Sequence, residues 1–114
     1  MAATDRKNCH LFCQKAGKNL KAEIESLVSL YAQGSEGKTE IGTKLDSLNL
    51  SPELNAEVVS LIEQAIKEST YNLISGLEGS ASLAGTQEIY KITDESGNEL
   101  SGELDVIFYE QVME

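Results

Sequence analysis

Histidine, cysteine and proline are scarce in these 114 residues: one His, two Cys, one Pro, and no Trp at all. Each scarcity removes a class of chemistry. A zinc centre takes three or four ligands, mostly Cys and His, and Cys9, His10 and Cys13 are the entire nitrogen and sulfur stock. Two cysteines one helical turn apart read as small apolar side chains on one face. A reactive thiolate at Cys9, near a helix start and beside Lys7, is the competing reading. Ser–His or Cys–His catalysis would have to use His10, and neither a nucleophile elbow nor a third orienting group accompanies it. Gly76, Gly79 and Gly85 are not followed by Gly-Lys-Ser/Thr, and their neighbours are acidic, so they do not make a phosphate cradle. Asp94, Ser96, Asn98 and Asp105 imitate a calcium loop. The glycine falls at the wrong position, and Asp105 stands where the bidentate Glu is required. Carboxylate pairs such as Glu23/Glu25 and Glu63/Glu68 are simply the solvated faces of helices. The expectation is a non-enzymatic chain with no metal and no cofactor.

Long apolar runs are also missing. None approaches the roughly 18 residues a membrane span needs, and no signal-like apolar stretch follows the basic residues of the N-terminus. The expected location is cytoplasmic, where Cys9 and Cys13 would stay reduced.

Positive charge is scarce after residue 21. Up to Lys21 there are five basic residues (Arg6, Lys7, Lys15, Lys18, Lys21) against Asp5 alone. From Ala22 onward four lysines face 18 acids, giving a formal net charge of −10. Such a surface repels nucleic acid and anionic membranes and attracts basic proteins.

What remains is ordinary for a globular chain: 40% of the residues are hydrophobic, enough for one domain over residues 1–114. Residues 1–8 are expected to fray. From about Asn8 to Gln33, Phe12, Ala16, Leu20, Ile24, Leu27, Val28 and Tyr31 recur at steps of three and four, which predicts a helix. Gly17 inside it costs about 1 kcal/mol relative to Ala and suggests a bend. Residues 34–38 read as a loop. Ile41, Leu45 and Leu48 predict a short helix over about 39–48. Ser51 and Pro52 mark the next helix start, and its broad apolar face predicts a core helix to about Ser75. Residues 76–86 read as a second loop. Glu88–Thr93 alternates like a strand, Asp94–Asn98 carries turn chemistry, and Glu99–Ser101 would complete a hairpin. Leu100, Leu104, Phe108 and Val112 recur every four residues, which favours a final helix over the strand propensity of Val106–Tyr109. The predicted class is therefore α+β: mostly helical, with three N-terminal helices, a small C-terminal β-hairpin and a last helix.

The acidic C-terminal third is the candidate functional surface. Glu88, Asp94, Glu95, Glu99, Glu103, Asp105 and Glu110 crowd around Tyr90, Phe108 and Tyr109, with only Lys91 opposing. Acids around aromatic anchors suit protein–protein association, the charges steering the encounter and the rings supplying the buried contact.

The order Tyr71-Asn72-Leu73-Ile74-Ser75-Gly76-Leu77-Glu78-Gly79-Ser80-Ala81-Ser82, then Ile89-Tyr90-Lys91-Ile92, Asp94-Glu95-Ser96-Gly97-Asn98 and Phe108-Tyr109-Glu110, resembles that of small acidic bacterial immunity proteins of polymorphic or contact-dependent toxin systems. The resemblance implies a cytoplasmic inhibitor that binds a cognate toxin domain directly. Such domains are often basic and act on nucleic acid, so an acidic surface would occlude the substrate site. The alternative from a different class is a helical adaptor that oligomerises, as a homodimer or larger, through Leu20, Ile24, Leu27 and Tyr31. A third is a small enzyme or redox sensor acting through Cys9.

Overall fold

The computed structural model describes residues 2–114, with side chains from His10 onward. Met1 and the side chains of residues 2–9 lie outside that description, and with them the thiolate reading of Cys9. The element order is α1 (Ala2–Ala32), a 3₁₀ turn (Gly34–Gly37), α2 (Glu40–Ser47), α3 (Pro52–Glu78) and α4 (Leu104–Phe108), which runs on as a π-helical turn (Tyr109–Met113). The chain divides into two compact units. One takes the residues up to Lys21 together with Glu68–Glu114, and the other is Ala22–Lys67. No described helix is long and apolar enough to cross a membrane.

The Ala22–Lys67 unit is helical throughout. Ile24, Val28 and Tyr31 are buried along one stripe of α1, at i, i+4 and i+7, and Leu45 and Val59 are buried with them. Thr39 caps α2, its Oγ1 accepting from the Gly42 N–H at 2.9 Å. Ser51 does the same for α3, accepting from the Leu54 N–H at 3.2 Å, as the Ser-Pro pair implies. Gly34 sits at φ 64° in the left-handed region, with the Asp46 carboxylate where a Cβ would project. The same carboxylate accepts the Ser35 N–H at 2.6 Å, so the 3₁₀ turn and α2 are tied together. These bonds hold the Asp46 pKa below its ordinary value.

The other unit holds Phe108, the most deeply buried large side chain at 0% exposure, and also buries Cys13, Ile74, Leu104, Ile107 and Val112. Gly17 produces no break in α1. A Cβ there would meet Ile107 Cγ2 at 3.0 Å, so the glycine permits a close approach of α4 to α1 rather than a bend. Gln111 Nε2 donates to Gln14 Oε1 across the same contact at 2.9 Å.

The α+β expectation fails: among the described residues there are no β-strands, and the C-terminal hairpin is not present. The turn chemistry at Asp94–Asn98 is there. Gly97 takes φ 86°, and Asp94 Oδ1 accepts from the N–H groups of Ser96 and Asn98. The flanking segments then meet in one bridge, Thr93 with Glu99, and go no further. Other groups have taken the places of the ladder. The Tyr90 N–H donates to the Leu77 carbonyl at the end of α3 (2.9 Å), and the Ile92 N–H donates to Ser101 Oγ (3.1 Å). Ser101 Oγ donates in turn to the Tyr90 carbonyl. An alternating segment becomes a strand only where a partner backbone is offered along its length. Here a helix end with unsatisfied carbonyls and one serine hydroxyl satisfy the backbone first. The alternation still sets which side chains face in: Tyr90 and Ile92 are half-buried, while Ile89 is 77% exposed.

Candidate functional site: an unneutralised acidic surface

Within the unit containing α4, the predicted contact residues divide by burial. Glu88, Asp94, Glu95, Glu103 and Glu110 are exposed, and Glu99 and Asp105 are half-buried. Tyr109 is 47% exposed and Tyr90 is half-buried. Phe108 is not a surface residue. It is enclosed completely, stacked on Tyr71 at 6.4 Å between centroids, and offers nothing to a partner in this structure. Its one-residue offset from Tyr109 on α4 turns it by about 100°, which is enough to exchange surface for core. Val106, 56% exposed and one turn before Tyr109, takes the place expected of Phe108. Sequence pattern could have found it: Leu104, Phe108 and Val112 claim the inner face at steps of four, which leaves Val106 and Tyr109 outside.

The acids of this segment make few ion pairs, and Asp94 lines a surface pocket together with Leu11, Phe12 and Lys15. Among the described residues, only Glu103 is paired, with His10 Nδ1 at 2.7 Å, and both side chains are about half exposed. Glu88, Asp94, Glu95, Glu99, Asp105 and Glu110 make no ion pair with a described residue. Lys91, the one lysine in the segment, is exposed and makes no described ion pair. The acids are held instead by neutral donors. Ser80 Oγ donates to Asp105 Oδ2 at 2.6 Å. Asp94 accepts from the Asn98 side chain and from turn N–H groups, and those bonds keep its pKa below the ordinary carboxylate value. Hydrogen bonds of this kind position a carboxylate without cancelling its charge.

Beneath the surface lies Glu78, at the C-terminal end of α3. Burial pushes its pKa above the ordinary 4.5, and the neighbouring charges of Asp105 and Glu99 push the same way. The N–H groups of Gly102 and Leu104 oppose them. Glu78 Oε1 is buried with no hydrogen-bond partner. No sequence signal distinguished Glu78 from the other helix-end acids, because its difference is burial.

Cys13 is fully enclosed, and its thiol donates to the Leu100 carbonyl at 3.4 Å. No group of three or more metal-ligating side chains occurs among the described residues. Of the four residues read as an oligomerising face, Ile24 and Tyr31 are buried, Leu20 is half-buried and Leu27 is exposed. No protein-family model matches the chain, and no curated protein or solved structure does either.

Proposed function

We propose that this chain is a non-enzymatic immunity protein of a bacterial toxin system, acting in the cytoplasm by binding a basic, nucleic-acid-targeting toxin domain and occluding its substrate site. The observation that carries the reading is a C-terminal segment whose acids Glu88, Asp94, Glu95, Glu99, Asp105 and Glu110 make no ion pair with a described residue, in the unit that also exposes Tyr109 and Val106. In an isolated domain such like charges favour solubility, but their mutual repulsion opposes folding. A basic partner reverses the sign of that term. The acids raise the rate of encounter, and Tyr109 with Val106 supplies the apolar centre that such an interface needs to persist.

Growth rescue tests it. The chain is co-expressed with the C-terminal domain of any large secreted protein found encoded immediately upstream, and the complex is recovered at increasing salt. A complex that restores growth and weakens as salt rises is the expected result. Charge reversal across Asp94, Glu95, Glu99, Glu103 and Asp105 is expected to abolish rescue. Rescue left unchanged by that variant would show that the surface assignment is wrong.

A further inference from the structure

The Ala22–Lys67 unit leaves more large apolar side chains outside than inside. Ile24, Val28, Tyr31, Leu45 and Val59 are buried, while Leu27, Leu30, Ile41, Leu48, Leu54 and Leu61 are exposed. Two of the exposed set are aligned. Leu54 and Leu61 lie seven residues apart on α3, 52% and 68% exposed, with half-buried Val58 between them on the same face. Exposed Ala65 continues the row at i, i+4, i+7 and i+11. Single exposed leucines need no explanation, but a row in helical register is the form of a seam.

We propose that this stripe of α3, built on Leu54, Val58 and Leu61, docks a basic amphipathic helix of the partner protein. The proposal rests on the reading that the partner is a basic protein, and it adds a second contact in the helical unit. Charge selects the occupant. Glu53 and Glu57 flank the stripe on one side, and residues 52–66 contain no Lys or Arg. Lys67, the next cation, is engaged by Glu63 at 3.0 Å. The unit as a whole sets eight acids against three lysines. A second copy of the chain would bring its own Glu53 and Glu57 onto the same short seam, where like charges are destabilising. A helix with apolar side chains at matching spacing and lysine or arginine alongside fills the seam and neutralises its edge.

The test uses a synthetic amphipathic Lys/Leu helix about five turns long, with a scrambled peptide of the same composition as control. Binding to the full chain is followed by amide chemical shifts and by titration calorimetry. The designed peptide is expected to shift Leu54, Glu57, Val58 and Leu61. The variant Leu54→Ser/Leu61→Ser is expected to lose at least about tenfold in affinity, with an unchanged melting curve because both side chains are exposed. Glu53→Lys/Glu57→Lys should weaken the same peptide. Three results would each overturn the proposal: equal binding by the scrambled peptide, shifts confined to residues 88–110, or a peptide-free dimer that Leu54→Ser/Leu61→Ser dissociates. The chain reversed at Asp94, Glu95, Glu99, Glu103 and Asp105 separates this from the first reading. It should fail to rescue growth while still binding the peptide on α3.

Discussion

The rings of Tyr71 and Tyr109 meet at 5.6 Å between centroids and at 57°, so the exposed aromatic of the acidic surface rests on a side chain of α3. Tyr71 also stacks on Phe108, the neighbour that faces inward. One tyrosine therefore contacts both the core anchor and the surface anchor of α4.

That arrangement separates two roles that adjacent residues would otherwise share. Phe108→Ala empties a fully enclosed site and is expected to cost about 3–5 kcal/mol of stability, measured by urea unfolding. Tyr109→Ala removes a half-exposed ring and one aromatic contact, for about 0.5–1.5 kcal/mol. In partner binding the order inverts. Under conditions where both variants remain folded, Tyr109→Ala is expected to lose at least about tenfold in affinity, while Phe108→Ala changes affinity little. Equal losses would mean that Tyr109 acts only through packing.

Glu78 gives a pH signature. The folded chain holds its proton more tightly than the unfolded chain, because burial disfavours the charged form. Stability from the protonated group is therefore complete below the ordinary value of 4.5 and is lost as pH rises through the higher folded-state value. Glu78→Gln keeps the shape without the charge. It should raise the unfolding midpoint at pH 7 and leave it nearly unchanged at pH 4. A midpoint lowered at pH 7 would mean that the carboxylate's bonds to Gly102 and Leu104 outweigh its burial.

Cys13 should be inert in the native state. It is fully enclosed and its thiol donates to a backbone carbonyl, whereas reactive thiols are accessible and held as thiolates. In a Cys9→Ser background, alkylation of the folded chain should track the rate of unfolding and accelerate in urea. Rapid labelling in buffer would mean that the α1–α4 contact opens readily.

Much of the helical architecture was legible because it depends on local signals. Ser51 and Pro52 announce the start of α3 through the acceptor oxygen and the φ angle they supply. The steps of α1 give Ile24, Val28 and Tyr31 as its inner face, whereas Leu54, Leu61 and Leu73 of the apolar face expected to make α3 a core helix are exposed. The hairpin was misread because its fate depends on groups distant in sequence. Nothing near Tyr90 shows that the Leu77 carbonyl and Ser101 hydroxyl will satisfy the backbone before a second strand can. The acidic character of residues 88–110 was legible from composition, whereas the meeting of Glu103 with His10, 93 positions away, was not. Which aromatic faces outward was not, because Phe108 and Tyr109 are adjacent and only the packed position of α4 decides between them.

Gly34 and Asp46 provide the last prediction, and it concerns coupling. An L-residue at φ 64° costs about 1–2 kcal/mol by backbone sterics alone. Alanine at position 34 would also drive its Cβ into the Asp46 carboxylate, displacing the group that accepts the Ser35 N–H. Gly34→Ala should therefore cost more than the steric term in the native background and only that term in Asp46→Ala. The difference is the interaction energy of a double-mutant cycle, read from urea midpoints of the four proteins. It also carries a pH dependence of known sign. Asp46 has a lowered pKa, so its bond to Ser35 contributes above the ordinary value of 3.8 and is lost as pH falls through the lower folded-state value. The cost of Asp46→Ala should shrink over that acidic range and stay constant from pH 5 to 8. Strict additivity of the two substitutions at pH 7 would mean that the 3₁₀ turn does not depend on Asp46, and that Gly34 is required by its φ alone.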